Sequence, residues 1–148
     1  MKAQELSTCF CTQDIAICRD FYERYFQAKS VFDCGWYINV KIGGECPSLQ
    51  FMQPQGEMPS FQGGGVTLNF KADDVDTQYH RLVAEELQVV RPLEDHPWGD
   101  RGFSVLDPIG NSFTSIQTEN SRKNSSSLTN LNKPNKVLQP TTVADLRR

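Results

Sequence analysis

The stretch RPLEDHPWGDRGFSVLDPIGNSF (residues 91–113) decides how this chain is read. Within it, Asp107-Pro108-Ile109-Gly110-Asn111 is a turn by composition. The proline ring fixes φ at the second position, Gly110 permits a positive φ, and the short side chains of Asp107 and Asn111 bond to nearby backbone. These residues serve geometry rather than chemistry. Just upstream, GFSVLD reads as a strand, and before it the acidic, proline-bearing loop EDHPWGD carries His96 and Trp98, with Arg101 at the strand start. Loops of this kind are where binding residues concentrate, so this one is expected to form the rim of a site.

Working outward, NSFTSIQ supplies the strand after the turn and LQVVRPL the strand before the loop. Further upstream, VTLNFKA alternates like a strand, and Asp73 or Asp74 stands at the N-cap of a helix over DVDTQYHRLVAEEL. The same order occurs earlier. ELSTCFCT reads as a strand, and Asp14 precedes DIAICRDFYERYFQA, where Ile17, Phe21, Tyr22, Tyr25 and Phe26 recur at helical spacing. VFDC, GWYINVKI and SLQFM then follow as short β-rich runs broken by Gly43, Gly44 and Pro47. A shift of the chain along itself by 60 residues sets Leu6 on Val66, Ser7 on Thr67, Phe10 on Phe70, Asp14 on Asp74 and Ile15 on Val75. The reading is βαβββ twice: module one over 5–52, a Gly- and Pro-rich linker over 53–63, and module two over 64–117. Neither half buries both a helix stripe and a sheet face alone, so the two sheets are expected to close round a shared concavity with the helices outside.

Composition narrows the function. The chain has 148 residues, 38% hydrophobic and 22% charged, which suits one domain, here 1–118. The net charge of −3 conceals an asymmetry: residues 1–118 carry 9 Lys and Arg against 16 Asp and Glu (−7), residues 119–148 carry 6 against 2 (+4). An acidic body argues against nucleic acid, which needs clustered cations. The tail 119–148, rich in Ser, Asn, Thr, Lys and Pro, is expected to be disordered because it buries too little to offset its ordering entropy. No stretch has the length or apolarity to cross a bilayer, and no secretory signal stands at the amino terminus, so the expectation is a cytoplasmic protein. The five cysteines, Cys9, Cys11, Cys18, Cys34 and Cys46, are odd in number and lack CxxC pairs, which suits reduced thiols.

The FY of the first helix, VTLNFKADDVDTQYHRL and above all PWGDRGFSVLDPIGN resemble the vicinal oxygen chelate superfamily of glyoxalases, bleomycin-resistance proteins and extradiol dioxygenases. The resemblance covers residues 5–117. It implies an α+β fold, two βαβββ modules forming a concave mixed sheet with helices on the outer face, and a homodimer whose chains share the cavity. It also implies where a divalent metal sits in the metal-using members, on the first and last strands of each module. Those positions here are Ser7, Gln50, Thr67 and Thr114. Hydroxyls and an amide are a poor set for ions otherwise held by imidazole, thiolate or carboxylate, so no metal and no other cofactor is expected.

Other chemistry has little to stand on. GxxxxGK[ST], GxGxxG and GxSxG are absent. A nucleophile–base pair such as Cys9 with His96 needs the fold to bring the two together. Alternation puts Ser7, Cys9 and Cys11 on one face, as it does Thr67 with Asn69 and Gln50 with Met52, and these form the inner wall together with Thr114, which the resemblance places inward. Trp36, Trp98 and Phe103 are candidate aromatic walls, with Arg101 on the rim. Such a cleft suits a small organic molecule, and the acidic body favours a cationic or aromatic one. The expected function is metal-independent binding of the sequestering, bleomycin-resistance kind. The alternatives are a glyoxalase-like lyase or isomerase or a dioxygenase-related enzyme with atypical ligands, and an interaction module with a vestigial cavity.

Overall fold

The computed structural model describes residues 2, 6–43 and 47–118; the expected tail 119–148, residue 5 of module one and Cys46 lie outside the described residues. The chain runs β1 (Thr8–Cys11), α1 (Ile15–Phe26), β2 (Lys29–Asp33), β3 (Tyr37–Lys41), β4 (Ser48–Met52), β5 (Thr67–Lys71), α2 (Val75–Ala84), β6 (Val89–Asp95), β7 (Asp100–Leu106) and β8 (Ser112–Thr118). This is βαβββ twice, as the repeat demands. The sheets are separate, ordered β1-β4-β3-β2 and β5-β8-β7-β6. In each, the first strand pairs in parallel with the last, and the remaining pairs are antiparallel hairpin neighbours. A parallel partner needs a long crossover, and here the helix and two strands supply it.

The helices form where apolar spacing and local bonds agree. On α1 the buried stripe is Ile15, Cys18, Tyr22 and Phe26, while Ile17, expected on that stripe, is 56% exposed. The spacing of three and four residues selects Cys18 instead, because Ile17 lies on the opposite face of the turn. Asp14 occupies the N-cap without a side-chain capping bond; its own N–H donates to Thr12 Oγ1 at 3.1 Å. On α2 the cap is Asp74 rather than Asp73: Asp74 Oδ1 accepts from the Thr77 N–H at 3.0 Å and Oδ2 from the Thr77 hydroxyl at 2.8 Å.

What joins the modules is the helix side of the sheets rather than one enclosed concavity. Phe26 of α1 meets Phe113 of β8 with centroids 3.9 Å apart, Tyr22 meets the same ring at 6.0 Å, and Phe70 stacks on it at 4.3 Å. Full burial of each such ring contributes about 1.5–3 kcal/mol. Polar ties reinforce the seam: the Tyr22 hydroxyl donates to Asp107 Oδ2 at 2.8 Å, and Arg81 Nη2 of α2 donates to the Tyr25 carbonyl of α1 at 2.6 Å. The linker is pinned as well. Phe61 donates its N–H to the Cys11 carbonyl at 2.7 Å and sets its ring against Phe10. Gly63, at φ +77°, passes so close to the 107–111 turn that a Cβ there would sit 3.0 Å from the Ile109 carbonyl oxygen. Only glycine suits that positive φ and that approach.

Candidate functional site

Alternation along module two divides its sheet cleanly. Phe103, Val105, Phe113, Ser115 and Gln117 are buried toward the helix side, where Ser115 donates to Gln78 and Gln117 to the Asp73 carbonyl. Thr67, Asn69, Ser104 and Thr114 share the other face and line a pocket of about 440 Å³ together with Arg91, His96, Trp98 and Asp100. Register explains the set: Asn69 stands beside Thr114, Thr114 beside Ser104, and Ser104 beside Arg91 across four adjacent strands. The Ser104 and Thr114 hydroxyls are 2.8 Å apart and satisfy each other. Thr67 and Asn69 are exposed, so in the single chain this wall is open.

The end of the pocket is the β6–β7 hairpin. β6 runs on to Asp95, further than the sequence reading had it, and the turn is closed by the Gly99 N–H donating to the His96 carbonyl at 3.0 Å and the His96 N–H to the Asp100 carbonyl at 2.7 Å. His96 Nδ1 lies 2.5 Å from Asp100 Oδ1, and Nε2 lies 3.7 Å from Glu94 Oε1. The Asp100 carboxylate facing Nδ1 orients the ring. Against that fixed imidazole Trp98 stacks at 4.6 Å with an interplanar angle of 13°, yet the residue is 70% exposed. One face of the indole is held and the other is presented.

Several residues proposed from sequence fall elsewhere. Arg101 is not a free rim cation: its guanidinium spans both carboxylate oxygens of Asp76 at 2.9–3.2 Å and approaches Asp95 at 3.4 Å, clamping the first turn of α2 to β7. Phe103 is 1% exposed and meets Tyr79 of α2 at 5.3 Å, so it is core beneath the helix and not a cavity wall. Trp36 is 48% exposed at the β2–β3 turn of module one, beside Tyr37. Ser7 is exposed and precedes β1. Cys9, Gln50 and Met52 do share a face, with Cys9 beside Gln50 and Gln50 beside Asn39, but that face belongs to the other sheet. Asn39 Oδ1 is buried there with no hydrogen-bond partner among the described residues. Conversely, Arg91, Ser104 and Asp100 line the pocket and were not picked out. The register of β6 shifts between Val89, Arg91 and Glu94, which spoils the alternation that would have flagged Arg91.

The donors on these faces do not fit a divalent metal. Among the described residues no three His, Cys, Asp or Glu side chains gather as a ligand set. Thr67, Thr114 and Gln50 offer only neutral oxygens, and Thr114 is already bonded to Ser104. The Cys9 and His96 pair is also not assembled: Cys9 lies on β1 of the first sheet and His96 in the β6–β7 turn of the second, where its ring faces Asp100 and Trp98. Burial, followed by the nearby Cys11, raises the Cys9 thiol above its ordinary value, the reverse of what activates a nucleophile.

Residues 6–114 match the family model of the Glyoxalase/Bleomycin resistance protein/Dioxygenase superfamily. An uncharacterized protein of Mycobacterium bovis is 38% identical over 121 residues, covering 74% of this chain and 80% of its own. Among solved structures, a superfamily member from Sphaerobacter thermophilus superposes with a TM-score of 0.66 at 26% identity, covering 79% of this chain and 98% of its own. TnmS3, an antibiotic binding protein from a Streptomyces species, superposes with a TM-score of 0.65 at 24% identity, covering 80% and 98%.

Proposed function

The chain belongs to the Glyoxalase/Bleomycin resistance protein/Dioxygenase superfamily, and from that premise we propose that it binds a small organic, cationic or aromatic molecule on the inner face of module two without a metal. The observation that carries this is Trp98: an indole with one face braced by His96 and most of its surface open beside a pocket of about 440 Å³. Asp100 lines the same pocket, and Glu94 and Asp100 both face His96 on the same hairpin, which favours a cation over the open ring face. Thr67, Asn69 and Arg91 supply polar anchors. Sequestration needs no more than this, and the likeness to an antibiotic binding protein is consistent with it.

The open wall favours completion by a second copy, giving a two-fold homodimer whose chains share the cavity. Light scattering at micromolar concentration checks the mass. The test of binding is a thermal-shift screen of cationic and aromatic compounds followed by calorimetry on Trp98→Ala: weakened binding in a folded variant is expected, and undiminished binding overturns the reading.

A second reading is enzymatic. His96 oriented by Asp100 is a proton acceptor and donor positioned in the pocket, which suits a metal-free lyase or isomerase. Conversion of a hit from the screen, lost in His96→Gln, would replace sequestration by this.

A further inference from the structure

A second cleft, of about 740 Å³, lies where the two modules meet, at the C-terminal end of α1, the start of β2, the ends of β3 and β5, and α2. It shares no residue with the Trp98 pocket. Among the described residues its lining carries Lys29, Lys41, Lys71 and Arg81 and no Asp or Glu. That is four of the nine cations in a body whose net charge is −7, so the clustering runs against the average field of the surface. Lys29 and Lys41 stand directly opposite each other on β2 and β3, a like-charge placement that destabilises a sheet unless an anion lies between them. None of the three lysines has an ion pair among the described residues. Of the four, only Arg81 is engaged among the described residues, with Glu85 at 2.8 Å and the Tyr25 carbonyl.

The rest of the lining is apolar or neutral. Phe70, half-buried, presents an aromatic ring to the cleft and is backed by the buried Phe113 and Phe26, and Gln78, whose Oε1 accepts from Ser115, keeps its amide nitrogen as a donor. An aromatic wall beneath a cationic mouth is the arrangement that takes a flat organic body with an anionic head, and the volume lies in the range of small-molecule sites. The basic stretch 119–148, with 6 cations against 2 acids, has the wrong sign to fill it. We propose that this intermodule cleft is a binding site for a small aromatic organic anion, a carboxylate, sulfonate or phosphate, separate from the Trp98 pocket.

The test uses the full chain and naphthalene-1-sulfonate, titrated calorimetrically at low ionic strength. Binding of one equivalent per chain is expected. It weakens at least about tenfold in Lys29→Gln/Lys71→Gln, weakens with added salt, and is unchanged in Trp98→Ala. In the absence of the probe, Lys29→Gln alone should melt no lower than the parent, since it relieves the Lys29–Lys41 repulsion. Lack of binding to the parent, equal affinity in the double lysine variant, loss in Trp98→Ala, or a lowered melting temperature for Lys29→Gln would each overturn the proposal. Lys71→Gln alone, with a smaller loss expected, replaces the double variant if that one does not fold.

Discussion

The Tyr22 hydroxyl of α1 donates to Asp107 Oδ2 at 2.8 Å across the module seam, and both residues are buried. Asp107 also accepts from the N–H groups of Ile109 and Asn111 and from the Asn111 amide, so one carboxylate holds both its own turn and the partner module. Tyr22→Phe removes the cross-module donor while keeping the ring. The expected cost is about 1–3 kcal/mol in urea unfolding, because a charged buried acceptor loses a partner.

Alkaline pH should loosen the same seam. Burial, then the charges of Asp107 and Asp14, pushes the Cys18 thiol from 9.0 up to about 12. Burial and Asp107 likewise raise Tyr22 above its ordinary 10.0. Both groups hold their protons more tightly folded than unfolded, so their stabilisation is complete below pH 9 and is lost as pH rises toward 12. Melting temperature should be insensitive to these groups up to about pH 8 and fall above 9. A Cys18→Ala variant should show a shallower alkaline decline; an identical decline would remove Cys18 as a cause.

Trp98 and Phe103 should separate binding from folding. Phe103→Ala opens a void under α2 and is expected to cost about 3–5 kcal/mol. Trp98→Ala deletes an exposed ring and should leave the melting temperature nearly unchanged while weakening a screened ligand about ten- to a hundredfold. Circular dichroism melts and calorimetry on the two variants check this.

Arg101 belongs with stability. Its clamp on Asp76 is partly exposed, so Arg101→Ala should cost about 1 kcal/mol and leave ligand affinity within about twofold. An affinity loss without a stability loss would return Arg101 to the binding rim.

Chelation should change nothing. With neutral oxygens at Gln50, Thr67 and Thr114, EDTA is expected to leave melting temperature and ligand affinity as they were. Stoichiometric metal surviving dialysis, with stability lost on chelation, would overturn metal independence.

The order βαβββ twice, the turn at 107–111 and the polar character of Thr67, Asn69 and Thr114 were legible in the sequence. Each depends on local rules: period-two alternation, N-cap chemistry, and the φ demanded of Pro108 and permitted by Gly110. Local rules stop at the end of an element. They placed Phe103 on a strand without saying which side α2 would cover, and they left Arg101 on a rim when Asp76, 25 residues away, takes its guanidinium. The pairing of His96 with Asp100 and Trp98 depends on a hairpin longer than composition suggested, and the joining of the modules through Phe26 and Phe113 depends on which faces are apolar in three dimensions. Sequence alone determined the elements and the chemistry available on each face; only tertiary packing decided which faces meet, because contacts between distant residues are selected by burial and charge pairing that no local pattern encodes.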